Sequence, residues 1–213
     1  KEFDNMLCFS QEINDIVNVS DNIDHRQHEN IEVILQRIYQ NAAGYHADDD
    51  ADDLRFDPVF QTILNKEVLA SQPTISRLND KLDVEAMKQL QQANFTLQDK
   101  VYDLKPPEEI IFDLDSTHSE TYGDQQGSDF NAHYGSQGYH PLVMFDGASG
   151  DLLKAALRSG NVYTSRKAVQ FVGPVFKKYN KKFKDIPLYL RADSGFAKPN
   201  LYQIAEEHNI AYT

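Results

Sequence analysis

Apolar residues recur at helical spacing through the first half of the chain and gather into short runs broken by glycine in the second. From Ile31 to Gln40, from Pro58 to Leu64 and from Val84 to Phe95 they return every three or four positions with almost no alternation, which predicts helices. A proline pair at Pro106 and Pro107 closes this style. Beyond it, Ile110 to Asp115, Tyr139 to Phe145, Asp151 to Arg158, Ile186 to Ala192 and Ile210 to Thr213 predict strands. Asp146 to Asp151, with two glycines, predicts the hairpin turn between the second and third of them. Ser165 is placed to cap a helix running to Tyr179, and Pro199 to open one ending near His208. The expected division is a helical domain over residues 1–105 and an α/β domain over residues 106–213.

Two of these strands end alike. Ile110 to Thr117 delivers Asp115 followed by Ser116, and Pro187 to Gly195 delivers Asp193 followed by Ser194. Ligands and catalytic groups of α/β sheets gather beyond the carboxyl ends of strands, so parallel neighbouring strands would bring the two aspartates together. Two carboxylates in one crevice repel unless a cation lies between them, which points to a Mg²⁺ site for phosphoryl transfer. The order strand, strand, strand, helix, strand, helix, strand matches a ribonuclease H-like mixed sheet with flanking helices, whose first and fourth strands are adjacent and parallel. Asp115 closes the first and Asp193 the fourth. Asp113 shares a strand face with Asp115 and is the main competing ligand, but Asp115 sits at the strand end, where water and substrate reach it.

Composition narrows the setting. The 213 residues are 40% hydrophobic and 25% charged, as in globular proteins, with one cysteine, Cys8, and no apolar run of membrane-spanning length. A cytoplasmic protein without a membrane partner is expected. The formal net charge of −12 speaks against a nucleic-acid partner until its distribution is seen. Residues 1–109 hold 10 Lys and Arg against 22 Asp and Glu, whereas residues 110–213 hold 11 of each. Basic residues of the second half cluster at Arg158, Arg166, Lys167 and between Lys177 and Lys184, a surface suited to phosphate.

Taken together, several segments resemble one family, the DDE transposases of bacterial insertion sequences, in the group called DDE domain group one. They are Gly44-Tyr45 with Leu54 to Pro58, Ala70 to Leu78, Asp113 to His118, Asn131 to Gly135 with Gly138 to Pro141, Arg158 to Asn161, and Arg191 to Phe196. The resemblance implies an enzyme that cuts double-stranded DNA at transposon ends and joins the freed 3′ hydroxyl to a target. It also implies Mg²⁺ (or Mn²⁺) held by two aspartates and a glutamate, a homodimer in the synaptic complex, and association with the nucleoid when bound to DNA. Asp115 resembles the first aspartate and Asp193 the second. The family's glutamate lies well downstream of the second aspartate, so Glu206 and Glu207 come too early. The chain, beginning at Lys1 and ending at Thr213 in a strand-like run, is therefore expected to be a fragment lacking the third acid and inactive alone. The alternative is a non-catalytic remnant that binds DNA or a full-length partner.

Within Ala70 to Leu78 the segment from Ser71 resembles the opening of a recognition helix, with Thr74, Ser76 and Arg77 free to meet DNA and the acidic neighbourhood opposing it. Arg158 and Arg191 are further candidate DNA contacts. Other chemistry fits less well. The pair Asp113 and Asp115 resembles the nucleophile motif of haloacid dehalogenase-like phosphatases, but Ser116 replaces its glycine, and Ala197 and Lys198 stand where its later acids belong. Asp48 to Asp53 lacks the glycine and the glutamate of an EF-hand and is expected to be a solvated acidic loop. The seven histidines show no zinc spacing. His118, His133 and His140, with Tyr122, Tyr134 and Tyr139, fall where they would line a DNA channel or stack on bases, or simply fill the fold.

Overall fold

A computed structural model of the chain describes residues 2–19, 21 and 25–213. It divides into two compact units, residues 1–101 and residues 102–213. The first is helical: α1 (Glu2–Leu7), α2 (Phe9–Ile16), α3 (Asn30–Ala42), α4 (Asp50–Asp53), α5 (Pro58–Leu64), α6 (Gln72–Asn79) and α7 (Val84–Leu104), whose last residues belong to the second unit. Local chemistry sets these boundaries. Asp57 accepts from the amides of Val59 and Phe60 at the start of α5, and Pro58 supplies a backbone angle already suited to a first turn. At the start of α3, Glu29 and Glu32 form a reciprocal capping box. The apolar stripes converge on Ile13, Val17, Val33, Ile34, Ile75 and Leu78, all buried.

The second unit is built on a five-stranded sheet. Its strands are β1 (Ile110–Ser116), β5 (Leu142–Asp146), β6 (Leu152–Ala156), β7 (Leu188–Ala192) and β8 (Ala211–Tyr212), in the order β6-β5-β1-β7-β8. β5 runs antiparallel to both of its neighbours, β1 and β6, while β7 runs parallel to β1 and β8 parallel to β7. This is the mixed sheet expected of a ribonuclease H-like fold. Alternation along β1 buries Ile110, Phe112 and Leu114, and β7 buries Leu188 and Leu190 on the same face. Over that face lies α8 (Ala168–Lys182), with Phe176 at 5.2 Å and Tyr179 at 5.8 Å from the ring of Phe112. Beside it packs α9 (Pro199–Glu207), so closely that a methyl on Gly173 would meet Ile204 at 3.0 Å. Asn209, in the left-handed region, lets the chain leave α9 and enter β8.

Between β1 and β5 stands a separate three-stranded sheet that the sequence pattern does not announce. It comprises β2 (Ser119–Glu120), β3 (Asp129–Asn131) and β4 (Ser136–Tyr139) in the order β2-β4-β3. The single strand expected from Tyr139 to Phe145 is thus two, parted at His140 and Pro141 because proline has no amide to offer a ladder. α8 starts three residues later than expected, since Ser165 to Lys167 form turns and Lys167 takes φ 60°. Asp48 to Asp53 is not a solvated loop: it carries α4, whose Ala51 is fully buried. The unit division precedes Pro106 because Tyr102 packs into the second unit, donating to buried Asp146 at 2.9 Å and lying edge-on to Tyr179 and Phe183.

Candidate metal and DNA site

Strand register places the two aspartates. β1 and β7 pair Ile110 with Leu188 through Leu114 with Ala192, and Asp193 stays extended (φ −73°, ψ 172°), so the next position sets Asp115 beside Asp193. Neighbouring strands lie about 4.8 Å apart. Both residues are exposed and fall on the face opposite Phe112 and Leu190. Each carboxylate is steadied through one oxygen: Oδ1 of Asp115 accepts from the Ser116 amide at 2.7 Å, and Oδ1 of Asp193 from the Gly195 amide at 2.8 Å. The second oxygen of each accepts no hydrogen bond from the described residues. A cleft of about 230 Å³ adjoins Asp193, lined by Ala192, Phe196, Leu201, Tyr202 and Tyr212.

Two accessible carboxylates on neighbouring strand ends suit Mg²⁺, which takes one or two protein carboxylates and keeps water or substrate oxygens elsewhere. Among the described residues no three of His, Cys, Asp and Glu come together as a metal cluster. Glu206 instead accepts from the Tyr212 hydroxyl at 2.8 Å and Glu207 from Gln203 at 2.9 Å, both at the far end of α9. Asp113 is taken up by Arg191, whose Nε donates to Oδ1 at 2.9 Å and whose Nη2 donates to Oδ2 at 2.5 Å. That hydrogen bond, reinforced by the carboxylate's charge, pushes the guanidinium pKa up.

The remaining candidates separate on the same geometry. Arg158 donates to the carbonyls of His140, Thr164 and Arg166, so it staples the loop after β6, and burial pulls its pKa down. His140 is buried with Nδ1 at 2.7 Å from the Val162 carbonyl, a structural role. His118 stacks on Tyr134 at 4.7 Å and contacts the Ser136 hydroxyl at 2.8 Å, while Tyr122 stays open to solvent. In the helical unit, Ile75 and Leu78 of α6 face the core while Arg77 is exposed and reaches the Thr74 hydroxyl at 3.3 Å. Thr74 and Arg77 border a cleft of about 270 Å³ together with Asp21, Arg26, His28 and Lys81. Ser76 is half-buried.

One pair of residues escaped the sequence pattern. Tyr163 is 60% exposed with the Lys198 ammonium 5.4 Å above its ring. Its neighbour Thr164 abuts the turn after Asp193, where a Cβ on Gly195 would lie 3.1 Å from the Thr164 methyl and 3.0 Å from Asp193 Oδ1. No motif marks this pair; only the packing of the loop on that turn reveals it.

Comparison with solved structures gives distant likenesses. The Mos1 transposase paired-end complex with left transposon end is 12% identical at a TM-score of 0.34, over 92% of this chain and 62% of that one. The piggyBac transposase synaptic complex with hairpin DNA is 14% identical at a TM-score of 0.42, over 98% of this chain and 48% of that one. The Mos1 mariner paired end complex with Mn is 12% identical at 0.34, over 96% and 65%. This chain thus spans 48 to 65% of the length of these proteins. No curated protein matches it. The family model described as Transposase DDE domain group 1 matches residues 1–213, from the helical unit through both strand-end aspartates, and the chain belongs to that family.

Proposed function

We propose that this chain is the part of a DNA transposase that carries two of its metal-holding acids, and that the whole protein cuts and rejoins double-stranded DNA at transposon ends. The observation that carries the reading is the register that brings Asp115 beside Asp193 at the carboxyl ends of parallel strands, within a chain of the DDE family. Asp115 and Asp193 would hold Mg²⁺ (or Mn²⁺), each with one carboxylate oxygen steadied by its own turn. When bound, the metal supplies activation of the attacking water or hydroxyl and neutralisation of the leaving oxygen. The exposed Tyr163 and Lys198 offer a ring face and a positive charge to DNA beside Asp193, and α6 offers Arg77. One copy of the protein at each transposon end accounts for a homodimer on the DNA.

A second reading has its own support, because among the described residues no third acid joins the pair. Under it the chain binds DNA or a longer partner without cutting. The test uses the protein that carries this chain and the terminal DNA of its element. Asp115→Asn or Asp193→Asn is expected to reduce Mg²⁺-dependent cleavage by about 10²-fold or more with folding intact, since each removes a charge at nearly constant volume. Cleavage near the wild-type rate in either variant would sink the assignment, and no cleavage by the wild type would favour the binding-only reading.

A further inference from the structure

The face that carries Asp115 and Asp193 holds a third carboxylate that the proposed chemistry does not use. Asp113 precedes Asp115 by two residues on β1, and Arg191 precedes Asp193 by two on β7, so the pleat puts all four side chains on one face. Asp113 and Arg191 are register partners, and a single guanidinium answers both carboxylate oxygens. The guanidinium lies across β1: a Cβ on Gly147, which follows β5 on the far side, would come within 2.9 Å of Arg191 Nη2 and 3.2 Å of Ile111. The Gly147 amide donates to the Ile111 carbonyl at 2.7 Å, so this turn is fixed to β1 and glycine leaves the room that the arginine fills.

Without the arginine, three carboxylates would share this face. Residues two apart on a strand are about 6.7 Å from each other, so a divalent ion drawn between Asp113 and Asp115 would sit inward of the strand ends, away from Asp193 and from the substrate. We propose that Arg191 is a positioning residue that holds Asp113 out of the metal's ligand set and so confines the ion to Asp115 and Asp193. The inference rests on the metal site of the preceding section. It also gives Arg191 a task other than the DNA contact its charge suggests, because its Nε/Nη2 edge already serves Asp113.

The experiment is a Mn²⁺ titration of the 213-residue chain, with free ion followed by electron paramagnetic resonance. It compares the wild type with Arg191→Ala, Arg191→Lys, Asp113→Asn, Asp115→Asn and the double variant Arg191→Ala/Asp113→Asn, each checked for folding by circular dichroism. Arg191→Ala is expected to bind Mn²⁺ more tightly, by about tenfold, because it frees a carboxylate. Adding Asp113→Asn should return affinity to within about twofold of wild type, since the local charge is again that of the neutral pair. Arg191→Lys, which keeps the charge but loses the two-pronged hold on Asp113, should fall between wild type and Arg191→Ala. In the protein that carries this chain, Arg191→Ala should combine tighter binding with slower cleavage, a signature that simple loss of structure does not give. Unchanged or weaker Mn²⁺ binding in a folded Arg191→Ala, or failure of Asp113→Asn to reverse its effect, would overturn the proposal. So would equal loss of DNA binding in Arg191→Ala and the double variant with Mn²⁺ affinity unmoved, which would make Arg191 a DNA contact. Absence of any Mn²⁺ binding that Asp115→Asn removes would overturn the metal site itself, and this inference with it.

Discussion

Acidic side chains serve opposite ends in the two units. Residues 1–101 hold nine Lys and Arg against nineteen Asp and Glu, and residues 102–213 hold twelve against fourteen. In the helical unit many of the acids are spent on the fold. Asp4, buried, accepts from the amide and the hydroxyl of Ser10, Asp21 pairs with Arg26 and Lys81, Asp48 with Arg37, and Asp52 accepts from the Gln72 amide. In the sheet unit Asp115 and Asp193 each commit one oxygen to a turn and keep the other open. Density of negative charge therefore does not locate a cation site. The proposed site rests instead on two carboxylates that the fold holds still through one oxygen each.

The contrast extends to how each unit fills its interior, and substitutions there will break it or sharpen it. The sheet unit relies on large apolar contacts, so Phe112→Ala, which removes a fully buried ring tilted against Phe176 and Tyr179, should cost about 3 to 5 kcal/mol in urea unfolding. A cost under about 1 kcal/mol would show that the face under α8 is not the core of the unit. The helical unit buries side-chain amides beside its apolar core, and two on α3 should respond with opposite signs. Gln36 donates to the Ala70 carbonyl and accepts from the Ala70 amide, both at 2.8 Å, so Gln36→Leu strands two buried backbone groups and should cost about 2 to 4 kcal/mol. Gln40 is fully buried and neither of its side-chain polar atoms has a hydrogen-bond partner among the described residues, so Gln40→Leu should stabilise by about 1 kcal/mol. Equal losses from the two, measured as unfolding midpoints, would erase the distinction.

The smallest effect expected is a pH dependence confined to the helical unit. Partial burial first, then the charges of Lys66 and Arg55, lower the pKa of His28 below its ordinary 6.5, while Glu32 acts the other way. The neutral ring is favoured in the folded state, the unfolded chain therefore binds more protons, and stability rises with pH. The loss should develop as pH falls through 6.5, and His28→Gln should flatten that part of the profile. A variant with the wild-type slope would remove His28 as its source.

Much of this architecture was legible in residue order, and what was not shares a cause. Asp57-Pro58 and Ser71 start helices through bonds and angles within a few residues, and the apolar runs before Asp115 and Asp193 become β1 and β7. The small sheet of β2, β3 and β4 was hidden because Ser119–Glu120, Asp129–Asn131 and Ser136–Tyr139 bury few side chains and so carry no alternation. Arg158 and Arg191 read as free cations until tertiary contacts supplied their carbonyl and carboxylate partners. Likewise, the pairing of Asp113 with Arg191 depends on a register between residues 78 apart, which no local pattern encodes.

That separation also has a consequence in time. β1 and β7 pair in parallel across the hairpin of β5 and β6, the small sheet and α8, so the whole intervening chain must be looped and largely ordered before Asp115 meets Asp193. Loop closure is costly ahead of the contacts that reward it, and long-range parallel pairing is slow compared with helix formation. The carboxylate pair is thus expected to form late in folding, after the helices of the first unit. Pulse-labelled amide exchange should show Ile75 protected before Ala192, and the reverse order would mean that the strands meet first. In a nascent or partly unfolded chain the two acids lie apart, so the proposed metal site does not exist until β1 and β7 have paired.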